Sequence, residues 1–209
     1  KHSWFKDYKG GKHPSEGETI PHYVSMGEKY SFLKSPRYNG EVAQVGPLAR
    51  QINDKEPLVL DMVDKLGSNV LVRMLARLHE AVRMLAQMKV WLDEIDPTKP
   101  FYKKPGLEKP AGTLGIGLTE AGRGALGHWV NYEGGKIKNY QVITPTAWNA
   151  SPRDYNDNPG AIEQAVIGTP VSDVNNPVEV FHVIRSFDPC LSCATHIISG
   201  NKHLTFNIV

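Results

Sequence analysis

Two thiols and an imidazole lie close together near the carboxyl end, in Asp188-Pro189-Cys190-Leu191-Ser192-Cys193-Ala194-Thr195-His196. Cys190 and Cys193 are the only two cysteines of the chain. A Cys-x-x-Cys turn brings both sulfurs to one point, where two thiolates bind one soft metal ion. His196, three residues on, adds a third ligand. The pattern alone leaves several chemistries open. A structural zinc site needs a fourth ligand, and no second cysteine pair exists to give it. A dithiol redox motif begins a helix after a strand, whereas here a helix precedes the motif and Pro189 stands before the first thiol. A disulfide framework needs cysteines spread along the chain. The chemistry of these thiols is local.

The remaining composition narrows the function classes. At 209 residues, 40% hydrophobic and 22% charged, the chain has ordinary globular composition for one domain with an appended arm. A net charge of +2 gives no electrostatic case for nucleic acid or an anionic membrane. No apolar run reaches the roughly 18–20 residues of a membrane span. Lys1-His2-Ser3-Trp4-Phe5-Lys6-Asp7-Tyr8 lacks the basic-then-apolar pattern of a secretion signal. Export, if it occurs, is expected to depend on a partner.

The elements that must position the thiols follow from periodicity and punctuation. Residues 1–56 carry repeated Gly and Pro without helical periodicity, yet also Trp4, Phe5, Tyr8, Tyr23, Tyr30, Phe32 and Tyr38. They read as an ordered extended arm lying on another surface. Pro57 and Gly67 bracket a helix over Leu58–Leu66. A second helix starts near Ser68 or Asn69 and ends before Pro97. Its apolar stripe of Leu71, Leu75, Leu78, Val82, Leu85, Met88, Leu92 and Ile95 reads as core-packing. About 26 residues give it a length of roughly 39 Å. Residues 96–121 read as Pro/Gly-rich connection. A β-hairpin follows, with Gly127–Tyr132 and Lys136–Ile143 joined by Glu133-Gly134-Gly135. Short helices are predicted over Gly160–Ile167 and from Pro177 to about Arg185, with turn and strand over 197–209. The fold class expected is α+β, mainly helical, with long core helices, a β-hairpin and extended loops.

Several motifs together resemble one family. Asp188-Pro189-Cys190-x-x-Cys193-x-x-His196 resembles the carboxyl-terminal signature of nickel-iron hydrogenase large subunits. Arg123-Gly124-Ala125-Leu126-Gly127-His128-Trp129 is similar to a second segment of that family, and Pro145-Thr146-Ala147-Trp148-Asn149-Ala150-Ser151-Pro152-Arg153-Asp154 to a third. Tyr30–Tyr38 and Glu41–Arg50 are similar to its middle region. His2-Ser3-Trp4 and His13-Pro14-x-x-Gly17-Glu18-Thr19 best match the uptake, periplasmic or membrane-associated branch. The likeness covers essentially the whole chain, in family order.

The resemblance implies a site. Nickel would be held by four thiolates, two of them bridging to an iron that carries carbon monoxide and cyanide. Cys190 would be a terminal nickel ligand and Cys193 a bridging one. Thiolates suit nickel because polarisable sulfur supports its changes of oxidation state in an open geometry. Arg123 would anchor a cyanide with its fork of donors, Thr146 would donate to the second cyanide, and Asp188 would neutralise and orient Arg123. Both Arg123 and the Cys190 thiolate are candidates for handling the proton. His196 and the carbonyl of Val142 would ligate a magnesium-type ion. His128 is expected to be structural.

Three departures from the family accompany the likeness. The amino-terminal Arg-x-Cys-x-x-Cys signature is absent, so the chain reads as a carboxyl-terminal half needing a polypeptide with the other thiol pair. Gly122 stands where the family usually has proline, which releases a fixed φ. Thirteen residues follow His196, where family members are usually cleaved. The expected organisation is residues 1–196 as this half (arm 1–56, core helices 57–95, active-site region 96–196), with 197–209 as an extension that is either removed on maturation or retained. The expected function is H2 ⇌ 2H⁺ + 2e⁻, with electrons leaving through an iron–sulfur small subunit and a membrane cytochrome as a further partner. Iron–sulfur clusters would lie only in that partner subunit. The rivals are a cysteine-bearing non-hydrogenase relative and a zinc-binding interaction module.

Overall fold

A computed structural model describes residues 2–6, 11–23, 27–103 and 112–190. Its elements run α1 (Pro47–Asn53), α2 (Pro57–Leu66), α3 (Val70–Glu94), β1 (Thr113–Ala121), β2 (Gly124–Glu133), β3 (Lys136–Ile143), α4 (Pro145–Asn149), α5 (Ala161–Val166) and α6 (Val178–Ser186). The class is α+β, as expected.

Local chemistry explains the boundaries. Proline opens α1, α2 and α4, where its missing N–H costs nothing. Gly67, at φ 70°, ends α2. Asn69 caps α3 by accepting from the Val72 amide at 3.0 Å. The three strands form an antiparallel sheet in the order β1-β2-β3. Gly134 and Gly135, both at positive φ, make the two-residue β2–β3 turn between the paired Glu133 and Lys136.

Two small cores hold the helices. Leu48, Val59, Val72 and Ala76 join α1, α2 and α3, and Ile162, Val183 and Phe187 join α5 to α6. Arg73 links them: its Nε donates to Ser186 Oγ at 2.7 Å, and its guanidinium lies 4.1 Å from the Phe187 ring centroid. Burial pushes the Arg73 pKa down to about 10, with the neighbouring Arg77 charge acting in the same direction.

Three expectations need correction. The stripe read as core-packing on α3 is solvent-facing, with Leu78, Leu85 and Leu92 each more than 60% exposed. The face turned inward holds Val72, Arg73 and Ala76 instead. Periodicity identifies an apolar face but not what covers it. Second, the 96–121 connection contains β1, whose glycines at 115 and 117 masked the strand pattern. Third, the arm contains α1. Among the described residues of the arm, Trp4 is buried against Phe32 and Tyr23, with ring centroids 4.3 and 5.4 Å away. The predicted strand in the 197–209 tail lies outside the described residues. No helix among the described residues is long and apolar enough to cross a membrane.

Candidate metal centre

The segment Asp188-Pro189-Cys190 leaves the end of α6 through a left-handed residue. Asp188 has φ 52°, the conformation that closes a helix C-terminus and is more often given to glycine. Its amide donates to the Arg185 carbonyl at 2.9 Å. The turn presents both the carbonyl and the carboxylate of Asp188 to one partner, Arg123.

Arg123 comes from the sheet. Ala121 pairs with Gly124, so Gly122 and Arg123 form the tip of a two-residue hairpin between β1 and β2. Arg123 Nε donates to the Asp188 carbonyl at 3.0 Å and lies 3.3 Å from Asp188 Oδ1. Both side chains remain nearly half exposed. A carboxylate beside a guanidinium holds its fork in place.

Thr146 comes from α4, which Pro145 opens and the Thr144 side chain caps. The Thr146 side chain is buried, and its Oγ1 accepts from the Cys190 amide at 3.0 Å. The hydroxyl proton stays available to donate. Two residues distant in sequence therefore bind the backbone of one three-residue segment. Cys190 itself is half-buried.

Further residues hold this arrangement, and none was singled out from sequence as a site residue. Asn149, buried on α4, accepts from the Val45 amide at 2.9 Å and donates to the Val45 carbonyl at 3.0 Å. Val45 and Gly46 touch the Arg123 hairpin. A Cβ on Gly124, which has φ 131°, would lie 2.6 Å from Val45 Cγ2 and 2.7 Å from the Gly46 nitrogen. Only glycine allows this approach. Arg37 binds Asp154 Oδ2 at 3.0 Å, Ser151 Oγ at 3.0 Å and the Pro152 carbonyl at 3.2 Å. It thereby fastens the segment that follows α4 to the arm. Desolvation pushes the Asp154 carboxyl up, but the Arg37 guanidinium and the amides of Asn158 and Asn156 outweigh it and hold the group below the usual range. These residues sit inside the quoted motifs; their partners lie far along the chain, which spacing alone does not reveal.

Cys193 and His196 lie outside the described residues. Among those described, no group of three or more His, Cys, Asp or Glu side chains is placed to hold a metal ion. The residues present do suit an anionic, thiolate-bound centre: Cys190 is a soft donor, and the Thr146 hydroxyl can donate beside it. The Val142 carbonyl accepts from Lys34 Nζ at 2.9 Å, and the same ammonium donates to Gln141 Oε1 at 2.9 Å. Burial lowers the Lys34 pKa. The Lys34 hydrogen bond uses one of the Val142 carbonyl's two lone pairs. His128 Nδ1 lies 2.6 Å from the Tyr140 hydroxyl.

Comparison with known proteins gives one consistent result. Residues 1–196 match the family described as nickel-dependent hydrogenase. The chain is similar to the Hydrogenase-2 large chain of Escherichia coli K12, at 34% identity over 100% of this chain and 42% of the relative. It is similar to the uptake hydrogenase large subunit of Rhizobium leguminosarum bv. viciae, at 38% identity over 95% and 40% respectively. Among solved structures, the reduced Ni-Fe-Se hydrogenase of D. vulgaris Hildenborough superposes with a TM-score of 0.80 at 39% identity, covering 94% of this chain and 44% of that one. The chain thus spans less than half the length of the relatives it matches.

Proposed function

The chain belongs to the nickel-dependent hydrogenase family, and on that premise we propose that it is the carboxyl-terminal half of a catalytic large subunit oxidising H2 reversibly to protons and electrons. The observation that carries this reading is the convergence on residues 188–190: Arg123 binds Asp188 while Thr146 binds Cys190. Three segments similar to the family's thereby meet at a thiol.

Cys190 and Cys193 would hold the nickel-iron centre. When bound, the bimetallic centre with its carbon monoxide and cyanide ligands supplies the heterolytic cleavage of H2. The protein's share is positioning and electrostatics. Arg123, steadied by Asp188, offers guanidinium donors to one anionic ligand. Thr146 offers its hydroxyl to the other. Arg123 and the Cys190 thiolate are the two candidates for handling the proton. His196 and the carbonyl of Val142 would hold a magnesium-type ion, with the carbonyl's second lone pair accepting from Lys34.

The two further thiolates would come from an amino-terminal portion of a large subunit. The exposed stripe of α3 supports this partner, since it is a long apolar face that the described residues leave open. More than half of the relatives' length lies outside what this chain matches. Electrons would pass to an iron–sulfur small subunit and then to a membrane cytochrome. One similar protein is named a periplasmic hydrogenase large subunit, and we place this one in the same compartment, exported with its partner.

Replacing either thiol tests the reading. Cys190→Ser and Cys193→Ser are expected to abolish nickel retention and hydrogen uptake in the assembled complex. Elemental analysis showing zinc without nickel or iron in the parent protein would instead support a zinc-binding module. Undiminished uptake in either variant would falsify the ligand assignment.

A further inference from the structure

The Arg123 hairpin tip is gripped by a residue to which neither the resemblance nor the comparisons assign a role. Arg50, on α1, is half-buried, and its guanidinium makes five hydrogen bonds. Its Nε and Nη2 reach Glu80 Oε1 and Oε2 at 2.8 and 2.6 Å, a bidentate pair to α3. Its Nη1 donates to Glu120 Oε2 at 2.8 Å and to the Ala121 carbonyl at 2.9 Å. Its Nη2 also donates to the Gly122 carbonyl at 3.1 Å. The last three partners are consecutive residues immediately before Arg123.

Gly122 needs such support. A Cβ there would meet nothing within 4 Å, and its φ lies outside the left-handed range, so neither packing nor backbone conformation requires glycine. Glycine adds only backbone freedom, at the base of the side chain that must hold its place. On the opposite side, the Arg123 carbonyl lies 3.2 Å from where a Cβ of Gly46 would stand. The tip is therefore bounded by the Val45-Gly46 backbone and held by Arg50. A fixed, bidentate guanidinium suits this task better than a flexible ammonium.

We propose that Arg50 is a positioning residue for Arg123: anchored on Glu80 of α3, it fixes the Glu120-Ala121-Gly122 backbone and so sets where the Arg123 guanidinium stands, replacing the rigidity that a proline at 122 would give. The consequence for turnover rests on the hydrogenase reading above; the restraint on the hairpin does not.

The test uses the full chain in the complex it co-purifies with, comparing the parent, Arg50→Lys, Glu120→Gln, and Arg50→Lys combined with Gly122→Pro. Hydrogen exchange of the 119–127 amides reports the tip without reference to the metals. Nickel content, the infrared bands of the iron-bound cyanides, and kcat and KM for H2 report the site. Arg50→Lys is expected to speed exchange at the tip by on the order of tenfold, shift a cyanide band and lower kcat by about tenfold or more at unchanged nickel content and KM. Adding Gly122→Pro is expected to restore all three. Parent-like exchange, bands and kcat in Arg50→Lys would overturn the proposal. So would losses accompanied by faster exchange throughout the chain and not rescued by proline, which mark general destabilisation. If Arg50→Lys does not accumulate, Glu120→Gln decides by the same criteria. A parent complex without nickel or cyanide bands removes the hydrogenase reading, while tip exchange still decides whether Arg50 holds the hairpin.

Discussion

Thr146 Oγ1 accepts the Cys190 amide at 3.0 Å, joining a buried hydroxyl on α4 to the backbone of a thiol 44 residues later. The hydroxyl orients the cysteine turn and keeps its own proton for a ligand. Thr146→Val removes both functions at nearly constant volume, and Thr146→Ser preserves them. Val is expected to cost about 1 kcal/mol in unfolding free energy, lower nickel occupancy and shift a cyanide band. Ser is expected to remain close to the parent. Denaturant titration with metal analysis and infrared spectroscopy distinguishes the two.

Arg123 supplies a planar fork that lysine cannot reproduce. Arg123→Lys is expected to retain both metals, since no ligand is lost, and to lower kcat by about 10²-fold or more. Hydrogen uptake measured per bound nickel checks this. A parent-level rate would remove Arg123 from the mechanism.

The open stripe of α3 gives a prediction about assembly. Leu78 and Leu85 are 63% and 68% exposed. Leu78→Glu with Leu85→Glu is expected to change this chain's own stability by only about 0.5 kcal/mol. Co-purification of the proposed partner chain, bearing the other cysteine pair, is expected to fall sharply. Quantitative mass spectrometry of the purified complex gives the stoichiometry.

Asp154 makes stability depend on acid pH. Its carboxyl lies below the ordinary value in the folded chain, so its contribution is fully present above the unfolded pKa of about 3.9 and is lost as pH falls through the folded value. Unfolding free energy is therefore expected to decline below about pH 4. In Asp154→Asn that part of the decline should be absent, with lower stability at neutral pH. Chemical denaturation between pH 2.5 and pH 7, in buffers of about 0.1 M ionic strength, compares the two proteins.

The α2 and α3 helices, the β2–β3 hairpin and the two later helices were legible from the sequence because each is signalled locally. Proline and glycine mark helix ends, and two glycines mark a turn. Family motifs named Arg123, Thr146, Asp188 and Cys190 as site residues. What the sequence left undecided were relations between distant segments. Only the folded chain places Arg123 on Asp188 and Thr146 under Cys190, brings Lys34 to the Val142 carbonyl, and brings Arg50 to the hairpin tip. It also decided which face of α3 is covered. An apolar period states that a face must leave water, but the covering surface is set by whichever segments arrive there, and the described part of this chain covers the Val72 and Ala76 side while leaving the leucine stripe open.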